Sequence, residues 1–416
     1  MLTQDLIITL LVILTSAWFM GFIFSRMGLP VMLGEIVAGL IIGPPILGIV
    51  QMTDQLEFLA ELGIFLAMFH AGMEMDPKKL LANIWPSIAT AIGGFVLPFV
   101  LGFFVTKAFG GTVYQALFIG VGLSVTAIAV QAVILENMQI HRSDVGHVIL
   151  GAAIVDDILS LVTLSILIGM VKSGTLEIHE FIKLIFKVVL FFGVTILSGE
   201  FLVPFLGKRL KDIGGKAFTF AILVALFFGL FAEKAGLHFV IGAFLAGQFV
   251  RRGIPNEKVY EIINTRFYGL SYGFLTPIFF VSLAFHLHID WSVNFILFAS
   301  AITLVAVFGK VAGCFAGVRL FGRTSRESLL IGYGMNGRGA VELVIAAIVI
   351  SLSNELMAKG LIVEPLLTGT QFSALVFMAF VTTLITPLLM KASVMKSCSG
   401  DEKESFCALI DKSKKE

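Results

Sequence analysis

The chain has 416 residues, of which 58% are hydrophobic and 14% charged, with a formal net charge of +1 and a mean hydropathy of +0.99. Soluble domains carry about 25% charged residues, so this composition excludes a soluble globular protein. It indicates a polytopic membrane protein, for which an all-α fold, no nucleic-acid partner and no enzymatic role are expected.

Crossing a bilayer takes about 20 mostly apolar residues per helix. On that measure thirteen spans are predicted, centred near Leu14, Ala38, Phe65, Phe95, Ser124, Leu159, Gly193, Leu226, Phe244, Leu275, Leu304, Val341 and Met378. The first, Leu6 to Phe24, has no basic region before it and no small-residue cleavage site, which predicts a retained helix rather than a signal peptide. The fifth and twelfth are expected to be broken. Ser124 and Thr126 offer hydroxyls in one, and Gly332, Gly334, Gly337 and Gly339 surround Asn336 and Arg338 in the other. Glycine costs a helix interior about 1 kcal/mol relative to alanine, and unwound backbone survives at membrane depth only when buried in protein or lining a cavity. Close packing of small residues without a break is the alternative. The spans end near residue 392, and residues 393–416 are expected to form a disordered cytoplasmic tail. Of three cysteines, Cys314 falls in a span, while Cys398 and Cys407 fall in the tail, where thiols stay reduced.

Lys and Arg placement sets orientation. Of the 29 such residues, 21 lie on one side of the predicted spans, six on the other, and Lys310 and Arg338 within them. This puts the N-terminus outside and the C-terminus in the cytoplasm. The segment Gly28-Leu29-Pro-Val-Met-Leu-Gly34-Glu-Ile-Val-Ala38-Gly39 aligns without gaps to Gly236-Leu237-His-Phe-Val-Ile-Gly242-Ala-Phe-Leu-Ala246-Gly247, and residues 119–126 resemble 331–338. Both pairs are seven spans apart, an odd number that inverts the copy. Two inverted-topology repeats are therefore predicted, about 5–171 and about 216–392, joined by a linker helix of about 180–207. Such repeats mark secondary transporters with a site near the midplane.

The residues most suggestive of chemistry are Asp156 and Asp157, adjacent within the apolar stretch Val148–Met170. An ionised side chain there costs about 3 kcal/mol or more and points to an ion or proton pathway. Neighbours on a helix diverge by about 100°, so one acid is expected to meet a fixed positive charge while the other faces the ion path. Lys310 in span eleven is the candidate for that charge, with snorkelling to an interface as the alternative. Arg338 and Glu342, one turn apart, are expected to pair on their own helix face and, with Asn336, to brace the broken segment. Glu35, Glu61, His70, Glu136 and Glu200 are assigned to interfaces or interhelical contacts. His286 and His288 end a span and are expected in a solvated loop. An intramembrane aspartyl protease also needs two acids, but on separate helices that converge; a channel would not call for an inverted repeat.

These strings, together with Gly28–Pro44, Glu61–Pro77, Arg338-Gly339 and Lys310, resemble the monovalent cation:proton antiporter-2 family from about Gly28 to Lys391. The resemblance implies a thirteen-helix, homodimeric antiporter in a prokaryotic inner membrane that supports pH homeostasis without a cofactor. It also implies a core domain that moves like an elevator. By similarity Asp157 binds Na+ (and Li+) or H+, Asp156 pairs with Lys310, Ser124 and Thr126 lie beside them, and exchange is electrogenic. The string Gly-Met-Asn-Gly-Arg-Gly of span twelve is similar to potassium-transporting relatives, so K+/H+ exchange is the alternative. Those relatives usually carry a large cytoplasmic nucleotide-binding domain, whereas residues 393–416 are all that follow the last predicted span here.

Overall fold

A computed structural model describes residues 4–27, 29, 31–75, 77–173, 178–207, 215–254, 257–286, 292–360, 362–398 and 407, and they contain no strand. The first half forms α1 (Gln4–Arg26), α2 (Val31–Ile42), α3 (Asp54–Glu74), α4 (Pro77–Ala82), α5 (Ile84–Ala108), α6 (Val113–Ser124), α7 (Ile128–Asn137) and α8 (Asp144–Ser173). After α9 (Ile178–Gly207) come α10 (Gly215–Lys234), α11 (Phe239–Gly253), α12 (Glu257–Leu270), a π-helical turn Ser271–Leu275 and α13 (Thr276–Leu283). The chain continues through α14 (Val293–Arg319), α15 (Ser325–Gly334), α16 (Ala340–Ala358) and α17 (Gly369–Cys398). Every predicted span centre falls on a helix or on the π turn. Among the described residues nine helical stretches are long and apolar enough to cross a membrane. The other centres lie on shorter helices.

Residues divide into two compact units, Met1–Leu80 with His179–Phe285, and Leu81–Ile178 with His286–Glu416. Neither unit is one of the predicted repeats; each combines a piece of both. In the first unit, the aligned segments α2 and α11 make matching contacts. A Cβ on Gly34 would lie 2.5 Å from the Met20 carbonyl of α1, and one on Gly242 would lie 2.1 Å from the Phe228 carbonyl of α10. One turn further, Gly39 abuts the Val281 carbonyl of α13 and Gly247 the Phe69 carbonyl of α3, both at 2.1 Å. Only glycine permits these crossings, since a real Cβ would push the backbones apart.

In the second unit α5 and α14 cross with Gly93 and Gly313 in mutual backbone contact, each with its Cβ position within 2.2 Å of the other's carbonyl oxygen. Beside them Gly94 leaves room for Cys314 Sγ and the Lys310 stem. Gly313→Ala is expected to destabilise by about 1–3 kcal/mol through overpacking, read as a lowered Tm of the detergent-solubilised protein; an unchanged Tm would contradict the tight crossing. Capping boxes fix where the half-helices begin: Thr112 with Gln115 opens α6, and Thr324 with Glu327 opens α15.

Several expectations change. Helix α17 runs to Cys398, six residues beyond the boundary expected at 392, because Ser-Val-Met-Lys-Ser-Cys continues its helical run. Its last residue forms a disulfide with Cys407 across a Cα–Cα distance of 5.6 Å, where reduced thiols were expected; Cys314 is free and buried. Of the four span-twelve glycines, Gly332 and Gly334 remain in α15, and only residues 335–339 leave the helix. His288 and the side chain of His286 lie outside the described residues, as does the tail beyond 398 except Cys407.

Candidate ion site at two helix breaks

The fifth segment leaves the helix at 125–127, between α6 and α7, and the twelfth at 335–339, between α15 and α16. Both breaks are shielded from lipid. In the most apolar window of 113–137, 94% of residues are buried, against 17% in α1. Broken backbone is tolerated at membrane depth only with such cover.

The breaks satisfy each other. Ala127 N–H donates to the Gly337 carbonyl (3.2 Å), Gln131 Nε2 donates to the same oxygen (2.8 Å), and Thr126 Oγ1 donates to the Met335 carbonyl (3.2 Å). Helix α17 supplies the rest. Thr383 Oγ1 accepts from Arg338 N–H (3.2 Å) and donates to the Arg338 carbonyl, and Thr386 Oγ1 accepts from Asn336 Nδ2 (3.3 Å).

Two cations cap the C-terminal end of α6, where orphan carbonyls and the helix dipole favour positive charge. Arg338 Nη1 donates to the Gly122 and Val125 carbonyls (3.1 and 3.2 Å), and Lys310 Nζ donates to the Ser124 carbonyl. Lys310 Nζ also lies 3.0 Å from Asp156 Oδ2, with both side chains fully buried. The structure therefore places Lys310 inside the unit and not at an interface.

Asp157, the next residue, is 2% exposed, and neither carboxylate oxygen has a hydrogen-bond partner among the described residues. An ionised carboxylate so placed is strongly unfavourable, so the group requires a proton or a cation. The Ser124 hydroxyl is within reach of the Phe95 and Gly120 carbonyls, both at 2.8 Å, which commits its proton to backbone. Arg338 and Glu342 approach only to 4.0 Å. The two residues form the expected ion pair one turn apart, Arg338 Nη1 also donates to carbonyls of the opposite break, and Glu342 has no hydrogen bond among the described residues.

The other flagged groups lie elsewhere. Glu136 pairs with His141 (3.0 Å) and Glu200 with Arg252 (3.3 Å), while His70 packs against the rings of Tyr268 and Tyr272. Glu35 is buried on α2 and Glu61 sits on α3. Gln131, Thr383 and Thr386 were missed from sequence. A lone Gln or Thr in an apolar stretch carries no signal, since most such residues only back-bond to their own helix.

The family model described as "Sodium/hydrogen exchanger, transmembrane" matches residues 10–395. The Na(+)/H(+)-K(+) antiporter GerN of Bacillus cereus is 32% identical over 381 residues, covering 91% of this chain and 94% of that protein. A Na(+)/H(+) antiporter of Enterococcus hirae is 28% identical over 384 residues, covering 92% and 96%. The solved structure of the sodium proton antiporter MjNhaP1 from Methanocaldococcus jannaschii shares the fold, with a TM-score of 0.61 and 16% identity over 98% of this chain and 99% of that one. The chain is thus a multi-pass membrane protein of the transmembrane sodium/hydrogen exchanger family, whose members are cation/proton antiporters and not enzymes.

Proposed function

We propose that this protein exchanges Na+, and Li+ with it, for H+, with cation and proton competing for Asp157. The observation that carries the reading is a buried carboxylate without any partner, adjacent to one already neutralised by a lysine. Asp157 holds whichever positive species is available, while Asp156, Thr126 and Ser124 flank it as ion-site residues. Lys310 is the charge partner, and Arg338, Glu342 and Asn336 brace the break. No cofactor is invoked.

The reading extends to thirteen spans in two inverted repeats, supported by the matching crossings of Gly34 with Gly242 and Gly39 with Gly247. Alternating access is of the elevator type, with the compact unit that carries the aspartates as the moving part; exchange is electrogenic and the protein a homodimer. Basic-residue placement supports an external N-terminus and a cytoplasmic C-terminus in a prokaryotic inner membrane. A K+/H+ reading has two observations in its favour: the Gly-Met-Asn336-Gly-Arg338-Gly string and the Na(+)/H(+)-K(+) relative.

The test is exchange in proteoliposomes carrying an acid-inside gradient and a pH-sensitive dye, with Na+, Li+ and K+ added in turn. Na+ and Li+ are expected to dissipate the gradient and K+ to do so at least about tenfold less well at equal concentration, a difference of about 1.4 kcal/mol. Equal or better dissipation by K+ would replace the sodium reading with the potassium one.

A further inference from the structure

Buried amide oxygens without partners are uncommon, because each costs the desolvation of a polar atom. Two of them occur at the same helix break. Gln131 Oε1 and Asn336 Oδ1 have no hydrogen-bond partner, and both residues are completely buried. Neither oxygen can be exchanged for its nitrogen by turning the amide over. Gln131 meets the Gly337 carbonyl, which only accepts, so Nε2 must be the atom that faces it. Asn336 meets Thr386 Oγ1, whose single proton goes to the Thr382 carbonyl at 2.7 Å, so Nδ2 must face that hydroxyl. With the donor ends pinned, the acceptor ends are fixed on the other side.

The two amides also meet at one loop, Asn336 as part of the second break and Gln131 from α7 against it. Gln131 holds Gly337, the residue after Asn336, and approaches so closely that a Cβ on Gly337 would lie 2.6 Å from Gln131 Nε2. Met335, on the other side of Asn336, is held by Thr126. Thr126 lies two residues beyond Ser124, whose carbonyl takes the Lys310 ammonium shared with Asp156. The break thus presents two fixed neutral oxygens in the compact unit that carries the aspartates. Oxygens of this kind suit a hard monovalent cation that has shed part of its water.

We propose that Gln131 Oε1 and Asn336 Oδ1 are neutral ligands of the transported cation and set its selectivity. This rests on the antiporter reading above and adds to Asp157 a pair of uncharged groups that a proton does not need. Their removal therefore weakens cation binding without removing proton binding at Asp157.

The experiment uses the full-length protein in the same proteoliposomes, comparing wild type with Gln131→Met, which keeps the side-chain bulk and loses the oxygen together with the Nε2 donor, and with Asn336→Ala. Gln131→Met and Asn336→Ala are each expected to raise the apparent KM for Na+ about tenfold, the effect of losing one hydrogen-bond-sized contact. They are also expected to change the ratio of Na+ to K+ rates. If either Gln131→Met or Asn336→Ala fails to fold, the other carries the test alone. An unchanged KM and ion ratio in a folded variant, or a fall in maximal rate alone, would overturn the assignment and leave a structural or water-holding role. Failure of the antiporter reading is distinct, because wild type itself would then show no cation-dependent exchange.

Discussion

Asp157→Asn is expected to abolish exchange while leaving the protein folded. The wild-type carboxylate is buried with both oxygens unpartnered, so its amide replacement removes a desolvated acid and breaks no internal hydrogen bond. Thermal stability should be equal to or higher than that of wild type. Transport should fall by about two orders of magnitude or more, since the charge that holds the cation is lost along with the group that carries the proton. The measurement pairs dye-reported exchange in proteoliposomes with a melting curve and a size profile of the same preparation. Exchange that survives in a folded Asp157→Asn variant would remove the carboxylate from the centre of the mechanism. A collapsed melting curve would instead assign Asp157 a structural role.

The second large effect is expected at Lys310. Lys310→Gln strips the ammonium from Asp156 Oδ2 and from the Ser124 carbonyl together. It leaves a fully buried carboxylate without its counter-charge and the C-terminal end of α6 with only one of its two capping cations. Breaking a buried pair from one side costs about 3–5 kcal/mol, so a substantial fall in Tm is expected. Asp156→Asn in the Lys310→Gln background removes the stranded charge. That double variant should regain much of the loss, and the interaction energy of the cycle measures the pair. If the double variant is no more stable than Lys310→Gln, the ion pair is not what holds the site. A change in cations moved per proton in either variant would bear directly on electrogenicity.

The sequence displays some of these features openly and hides others for physical reasons. A charge in an apolar run stands out by its expense, so Asp156, Asp157, Lys310 and Arg338 could be picked without any structure. The hydroxyls of Ser124 and Thr126 signalled one break and a glycine cluster the other, although Gly332 and Gly334 proved to serve helix packing, against Val311 and Ile149. Helix spacing suggested that Arg338 and Glu342 pair. It could not show that the guanidinium reaches across to Gly122 and Val125, because that contact spans more than 200 residues of sequence. The same blindness hid Gln131, Thr383 and Thr386, which are uncharged and meet residues distant in sequence. Helix ends were the least visible: nothing in the polar mixture after Met390 announced that α17 continues to Cys398.

The reciprocal stitching of the two breaks carries a consequence for biosynthesis. The carbonyls of Gly122, Ser124 and Val125 emerge early, whereas the groups that satisfy them, Lys310 and Arg338, are made 186 to 216 residues later. During that interval α6 has an open end at membrane depth. The second break, made last, in turn depends on Gln131 and Thr126 already being in place. Neither half of the polypeptide can complete its share of these hydrogen bonds alone, so the paired breaks are closed in a single late step, once the ribosome has delivered α14 to α17.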